Sequence, residues 1–249
     1  GILNAPQWSA VFDAFRDVFD GRKSISYQAG RYTLLLPGDP TATAQPNGDG
    51  FASLNVSKAG RVSASGMLAD GTKFSESATL SKEGMWPFYT PLYGNQGSLF
   101  SWVAFTNSPT ADLAGDLSWI RPAQTRSKYF SGGFTNLLSV TGSAYVRPPR
   151  RATIMDMTDA NLTFAGGALS QSFVNSIALD SNSRVFNQSS NGLQMSFSLA
   201  TGTFSGRAQD PSTGQRFPFK GVVLQKANSG SGFFLESGLS GNVSLQPTQ

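Results

Sequence analysis

From Gly30 onward, apolar residues recur at every second position in short runs, and Gly, Pro, Asn or Asp interrupts the runs roughly every 8–12 residues. A period of two sends alternate side chains to opposite faces of a strand, so each run can put one face in a core and the other in water. "RYTLLLPG" reads as a strand closed by Pro37 and Gly38. Leu54 and Val56 alternate before the "KAG" turn, and Val62 and Ala64 alternate after it. Asp70-Gly71 is the dipeptide of a tight hairpin, because both residues tolerate positive φ, and Phe74, Ala78 and Leu80 share a face beyond it. The pattern predicts an all-β, antiparallel chain, and 249 residues suffice for one large β domain or two smaller ones.

An internal echo favours two. "GTKFSESATLSK" (71–82) is answered by "GQRFPFKGVVLQK" (214–226), and "DLAGDLSWI" by "GLSGNVSL", which pairs Gly115 with Gly241. Two related barrel or sandwich lobes from an internal duplication are expected, residues 30–120 and 160–249. Residues 121–159 form a connecting segment with strand-like stretches and the Pro- and Arg-rich "VRPPRR". Gly66, Gly206, Gly115 and Gly241 read as turn or bulge positions, Phe74 and Phe217 as core. Residues 1–29 differ: Trp8, Phe12, Phe15 and Phe19 recur at helical spacing before Gly21, which predicts a short amphipathic helix packed on the β body. The same aromatics with Ala10 also suit two short strands.

Composition bounds the chemistry. Cys and His are both absent, which removes disulfides, thiolate nucleophiles, the commonest general base near neutral pH and the commonest transition-metal ligand. No catalytic residue, metal site or cofactor is expected. Charged residues make up only 14% of the chain, and no run approaches the ~20 apolar residues of a membrane span. A net charge of +4 is spread too thinly, with one cluster at Arg147, Arg150 and Arg151, for a nucleic-acid partner. Asp39, Asp49, Asp70, Asp180 and Asp210 each lie beside Gly, Pro or Ser, as turn residues do. Glu76, on the face of Phe74 and Ala78, is the acid a polysaccharide hydrolase would have to use.

Aromatic residues supply the candidate binding site. "MWPFYTPLYG" packs Trp86, Phe88, Tyr89 and Tyr93 around two prolines. These rings either plug an open barrel end, as buried aromatics commonly do, or form an exposed face that stacks on sugar rings. Trp102 and Trp119, between alternating apolar residues, read as core.

"GRYTLLLPG", "LADGTKFSESATLSKEGMWPFYTPLY", "GSLFSWVAF", "DLSWIRP" and "PFKGVVLQKANSGSGFFLESGLSGNVSL" together resemble the C-terminal β-rich module of very large exported bacterial proteins that carry immunoglobulin-like or other repeats upstream. The resemblance implies an extracellular or cell-surface location at the end of a longer polypeptide, and it brings no established site. The function expected is a non-catalytic structural or adhesive end-domain that assembles with other protein chains through strand edges, as a homo-oligomer or filament. The alternative is a module that binds extracellular polysaccharide.

Overall fold

The computed structural model of the chain describes residues 2–5, 8–11 and 14–248. Its first elements are the short strands β1 (Ile2–Ala5) and β2 (Trp8–Val11), paired antiparallel from Ile2↔Val11 to Ala5↔Trp8. This replaces the expected helix, whose Phe12 and Asp13 lie outside the described residues. Trp and Val favour a strand, and a segment this short gains little helical stability of its own. Residues 14–20 are irregular, and Asp20 ends them by accepting the backbone N–H groups of Arg22, Lys23 and Ser24.

The first lobe is an eight-stranded meander: β3 (Gly30–Leu36), β4 (Gly50–Val56), β5 (Arg61–Met67), β6 (Lys73–Thr79), β7 (Met85–Leu92), β8 (Gly97–Phe105), β9 (Leu113–Arg121) and β10 (Phe134–Ala144). Its spatial order is β6-β5-β4-β3-β10-β9-β8-β7, so the last strand returns beside the first and the sheet curls into a near-barrel. β10 comes from the stretch assigned to a connecting segment; it pairs with β9 over nine positions and with β3 over four, and therefore completes the first lobe. The second lobe repeats the plan with β11 (Asp159–Gly166), β12 (Phe173–Leu179), β13 (Val185–Asn187), β14 (Gln194–Ser198), β15 (Thr203–Gln209), β16 (Arg216–Leu224), β17 (Ser229–Glu236) and β18 (Leu239–Pro247). Here the order is β13-β12-β11-β18-β17-β16-β15-β14, again with first and last strands paired. The lobes thus share a topology, but the sequence echoes do not fall on matching strands. The echoed hairpin joins the third and fourth strands of the first lobe and the fifth and sixth of the second.

Each near-barrel has one seam where the ladder is broken, between β6 and β7 in the first lobe and between β13 and β14 in the second. Pro87 and Pro91 on β7 explain the first. They have no N–H to donate, and four residues apart they leave the same backbone edge without donors at two places. β7 pairs with β8 along its whole length, so the missing donors fall on the seam. Side chains join the seam instead: Trp86 Nε1 donates to Glu76 Oε2 at 2.8 Å, Thr90 Oγ1 donates to the Ser75 carbonyl at 3.3 Å, and the Phe74 and Phe88 rings meet edge to face at 5.9 Å.

Two apolar cores fill the lobes. Leu34, Leu54, Val62, Trp86, Leu99, Val103 and Leu117 belong to the first; Leu162, Phe164, Phe217, Phe219, Phe234 and Val243 belong to the second. The glycines read as turns or bulges sit inside strands, and a cross-strand ring covers three of them. Gly66 opposes Phe74, Gly206 opposes Phe219, and Gly241 opposes Phe234. A β-carbon on Gly66 would stand 2.7 Å from Phe74 Cζ, and one on Gly206 2.5 Å from Phe219 Cζ. Tight curvature needs the ring to lie flat over bare backbone, which only glycine permits. Gly115, the fourth, faces the Trp102 carbonyl of β8 with no room for a side chain.

A third cluster joins the lobes: Leu35, Phe51 and Ala69 of the first against Val222, Leu224 and Phe233 of the second. Polar bonds surround it. Thr33 Oγ1 donates to the Val223 carbonyl at 2.6 Å, and Tyr145 OH to the Leu199 carbonyl at 2.9 Å. Asp49 leaves its turn role here: its carboxylate accepts from Gly38 N within its own lobe and from Ser231 Oγ and Asn242 Nδ2 of the other. Lys226 forms a salt bridge with Asp112 at 2.6 Å across the junction.

Candidate functional site

Strand β7 decides what the aromatic stretch can do. Its alternation sends Trp86, Phe88, Thr90 and Leu92 inward, and it leaves Pro87, Tyr89 and Pro91 facing out. Trp86 is 0% exposed and Phe88 is equally buried, so neither can stack on a ligand without opening the lobe. Those two candidate residues are core. Tyr89, at 63% exposure, stands on the outer face.

Tyr93 has a third role. It sits in the β7–β8 turn at φ 53°, half-buried, inside a polar network that closes one end of the first lobe. Its hydroxyl donates to Asp70 Oδ2 at 2.7 Å and accepts from Trp119 Nε1 at 2.9 Å. Arg121 pairs with the same Asp70 oxygen, lies 4.7 Å from the centre of the Tyr93 ring, and donates to Ser127 Oγ and to the Tyr129 and Phe130 carbonyls. Burial, with the Asp70 charge beside it, pushes the Tyr93 phenol well above its ordinary range, so it stays a neutral donor. Trp119 is the core residue its alternation predicted. At the opposite end, Phe19 is buried over Gly60.

The acids divide by partner. Asp39, Asp180 and Asp210 accept backbone N–H groups two residues ahead, the turn chemistry expected of them. Glu76 points inward; burial pushes its carboxyl up to about 7, partly offset by the Trp86 indole N–H. Its one side-chain hydrogen bond among the described residues is the one it accepts from that indole. Asn47, in the Gly-rich loop before β4, donates its amide N–H groups to the Asp39 and Ala42 carbonyls. Among the described residues no three His, Cys, Asp or Glu converge on a possible metal position, and no helix is long and apolar enough to cross a membrane.

Two exposed rings, Tyr89 and Phe100, share the outer face of β7 and β8. Tyr89 stands directly opposite Phe100, and Pro87 opposite Trp102. Phe100 and Trp102 are two residues apart on β8, roughly 7 Å along the strand. Trp102 is not the core residue expected: Leu99 and Val103 set the inward phase of β8 and leave position 102 outside it. Phe15 from the N-terminal segment meets Trp102 at 5.9 Å, and together they line a hollow of about 330 Å³ with Met85, Ser81, Glu83 and Ala14. Tyr89, Phe100, Trp102 and Phe15 form a shallow aromatic platform framed by Pro87 and Pro91. The phase of β8 was the available signal for Phe100 and Trp102; Phe15 carried none, since it reaches the platform through an irregular segment.

Comparison with protein-family models and with curated proteins returns no match for the chain.

Proposed function

We propose that the chain is a non-catalytic, adhesive binding module of a larger exported surface or matrix protein, and that it contacts carbohydrate through the outer aromatic platform of β7 and β8. The observation that carries this reading is the placement of Tyr89 and Phe100 on one outer face beside Trp102, with side chains packing both lobe interiors. Aromatic faces stack on the CH-rich faces of sugar rings, and rings held on paired strands are fixed in advance at little entropic cost. Assembly through strand edges has less support. Most strands have a ladder partner on both sides, and in the first lobe the two edge strands turn toward one another at the seam.

The test is affinity electrophoresis through gels containing soluble polysaccharides, with Tyr89→Ala and Trp102→Ala run beside the parent. Retardation of the parent is expected in at least one gel and is lost in both variants, with stability lowered by less than about 1 kcal/mol in Tyr89→Ala because that ring faces water. A parent that runs freely in every gel overturns the carbohydrate reading and leaves the structural end-domain, whose partners are proteins. Trp86→Ala serves as a stability control, since it empties core volume and should cost about 3–5 kcal/mol.

A further inference from the structure

A second surface, remote from the platform, has a different chemistry. Where the lobes meet, the outer face of β4 and β5 looks across at the outer face of β14, β15 and β16. Three adjoining hollows of about 440, 310 and 470 Å³ follow the junction and continue onto the second lobe. The last two share Ser196, Ser205 and Lys220; the first joins the second where Thr201 and Thr203 share a hydroxyl hydrogen bond of 2.8 Å. The result is an open trough.

Strand register sets its walls. On the first lobe Ser53 stands opposite Ser65 and Asn55 opposite Ser63, all four lining the trough. On the second, Ser196, Ser205 and Lys220 form one row across three strands, and Gln194, Arg207 and Pro218 form the next. The charged residues along the trough are Arg31 near one end and Lys220 and Arg207 toward the other, and no carboxylate lines any of the three hollows. Arg31 is held in place by its bond to the Ala200 carbonyl at 3.0 Å, which crosses from one lobe to the other. The two salt bridges among the described residues, Arg121–Asp70 and Lys226–Asp112, lie elsewhere, so neither Arg207 nor Lys220 is spent on an internal acid.

From these features we infer that the trough is a binding site for an extended acidic polysaccharide. Spaced cations meet its carboxylates or sulfates, and rows of hydroxyl and amide groups, which both give and accept hydrogen bonds, match sugar hydroxyls. The absence of acids favours an anionic chain over a neutral one. Its open length favours a polymer over a small anion, which an enclosed pocket would suit better. Nucleic acid fits less well, because binding of single strands relies on exposed rings for base stacking and none of the rings that line the trough, Tyr32, Tyr145 and Phe197 among them, is among the large exposed side chains.

The inference does not depend on the platform, and the experiment separates the two. Parent, Arg207→Ser/Lys220→Ser and Tyr89→Ala are run through gels containing polygalacturonate, neutral dextran or no polymer, and each is titrated with a single-stranded oligonucleotide. Polygalacturonate is expected to retard the parent and Tyr89→Ala alike, less so as salt is raised. The double variant should bind about tenfold more weakly, the effect of removing two exposed charged contacts. Equal retardation of parent and double variant overturns the site, as does a parent that polygalacturonate leaves unretarded. Oligonucleotide binding of similar strength, lost in the same variant, overturns the assignment to acidic glycan. Both positions face solvent on a strand exterior, and coincident unfolding midpoints for parent and variant confirm that the comparison concerns binding.

Discussion

Replacing Asp70 by Ala tests the end-closing network of the first lobe. The Asp70 side chain is 0% exposed and that of Arg121 4%, so removing the acid leaves a guanidinium without its counter-charge where water cannot reach it. Breaking a buried pair from one side costs about 3–5 kcal/mol. The lower half of that range applies here, because Arg121 keeps neutral acceptors in Ser127, Tyr129 and Phe130. Two further groups lose their acceptor, the Tyr93 hydroxyl and the Thr72 N–H, at about 1 kcal/mol each. Together these raise the expectation to about 5–6 kcal/mol, with Tyr93→Phe, which leaves the ion pair intact, costing about 1–2 kcal/mol. The assay follows from ring placement: all four tryptophans, Trp8, Trp86, Trp102 and Trp119, precede the second lobe, so intrinsic fluorescence in urea reports the first lobe. The double variant Asp70→Ala/Arg121→Ala should lose clearly less than the sum of its singles. A loss below about 1 kcal/mol for Asp70→Ala, or strict additivity in the double variant, would refute the reasoning.

Stability should also depend on pH through Glu76. Its carboxyl is raised from the ordinary 4.5 to about 7, so between those values the folded chain holds a proton that the unfolded chain has released. Stability is therefore full below about 4.5, declines as pH rises toward 7 and is flat above; for this half-buried group the decline is about 1–2 kcal/mol, and Glu76→Gln should remove it in urea titrations at several pH values. Asp49 is raised by burial as well and adds a decline of the same sign, which Asp49→Asn should remove without touching that of Glu76. Gly66→Ala should lower the stability of the first lobe by about 1–3 kcal/mol, since the Phe74 ring must leave its place over the glycine. Phe233→Ala, which empties the junction cluster, should let the lobes move independently, visible as a larger radius of gyration in small-angle scattering and faster proteolysis of the 145–158 connection.

Strand period and turn chemistry were legible because they are local. The Asp70-Gly71 hairpin, the inward phase of Val62 and Ala64, and the capping of turns by Asp39 and Asp180 all follow from residues within a few positions of one another. The two-lobe plan was legible in outline. Its boundary was not, because the closing strand β10 is identified only by partners, Leu34 and Leu35 among them, some 105 residues earlier. The candidate site failed because the four aromatics were grouped together by type: β7 accommodates both prolines by being an edge, and its period of two then buries Trp86 and Phe88 while Tyr89 faces out. Trp102 was misread for a different reason: its apolar neighbours suggested core, but the alternation set by Leu99 and Val103 places position 102 on the outer face. The trough had no sequence signal, being made of Ser, Thr and Asn that any outward strand face can carry.

The pairing of first and last strands also determines how each lobe bears load. In the second lobe the start of β11 lies beside the end of β18, with Ala160 opposite Pro247, and in the first the start of β3 lies beside the end of β10. Pulling a lobe by its two ends therefore opens that ladder like a zipper, one rung at a time, instead of shearing all rungs together. Such a module resists little when tension passes through it and much more when force enters at one terminus and leaves through a ligand on a strand face. A grip of the second kind, on the platform or along the trough, would leave the closing ladder of the second lobe out of the line of force.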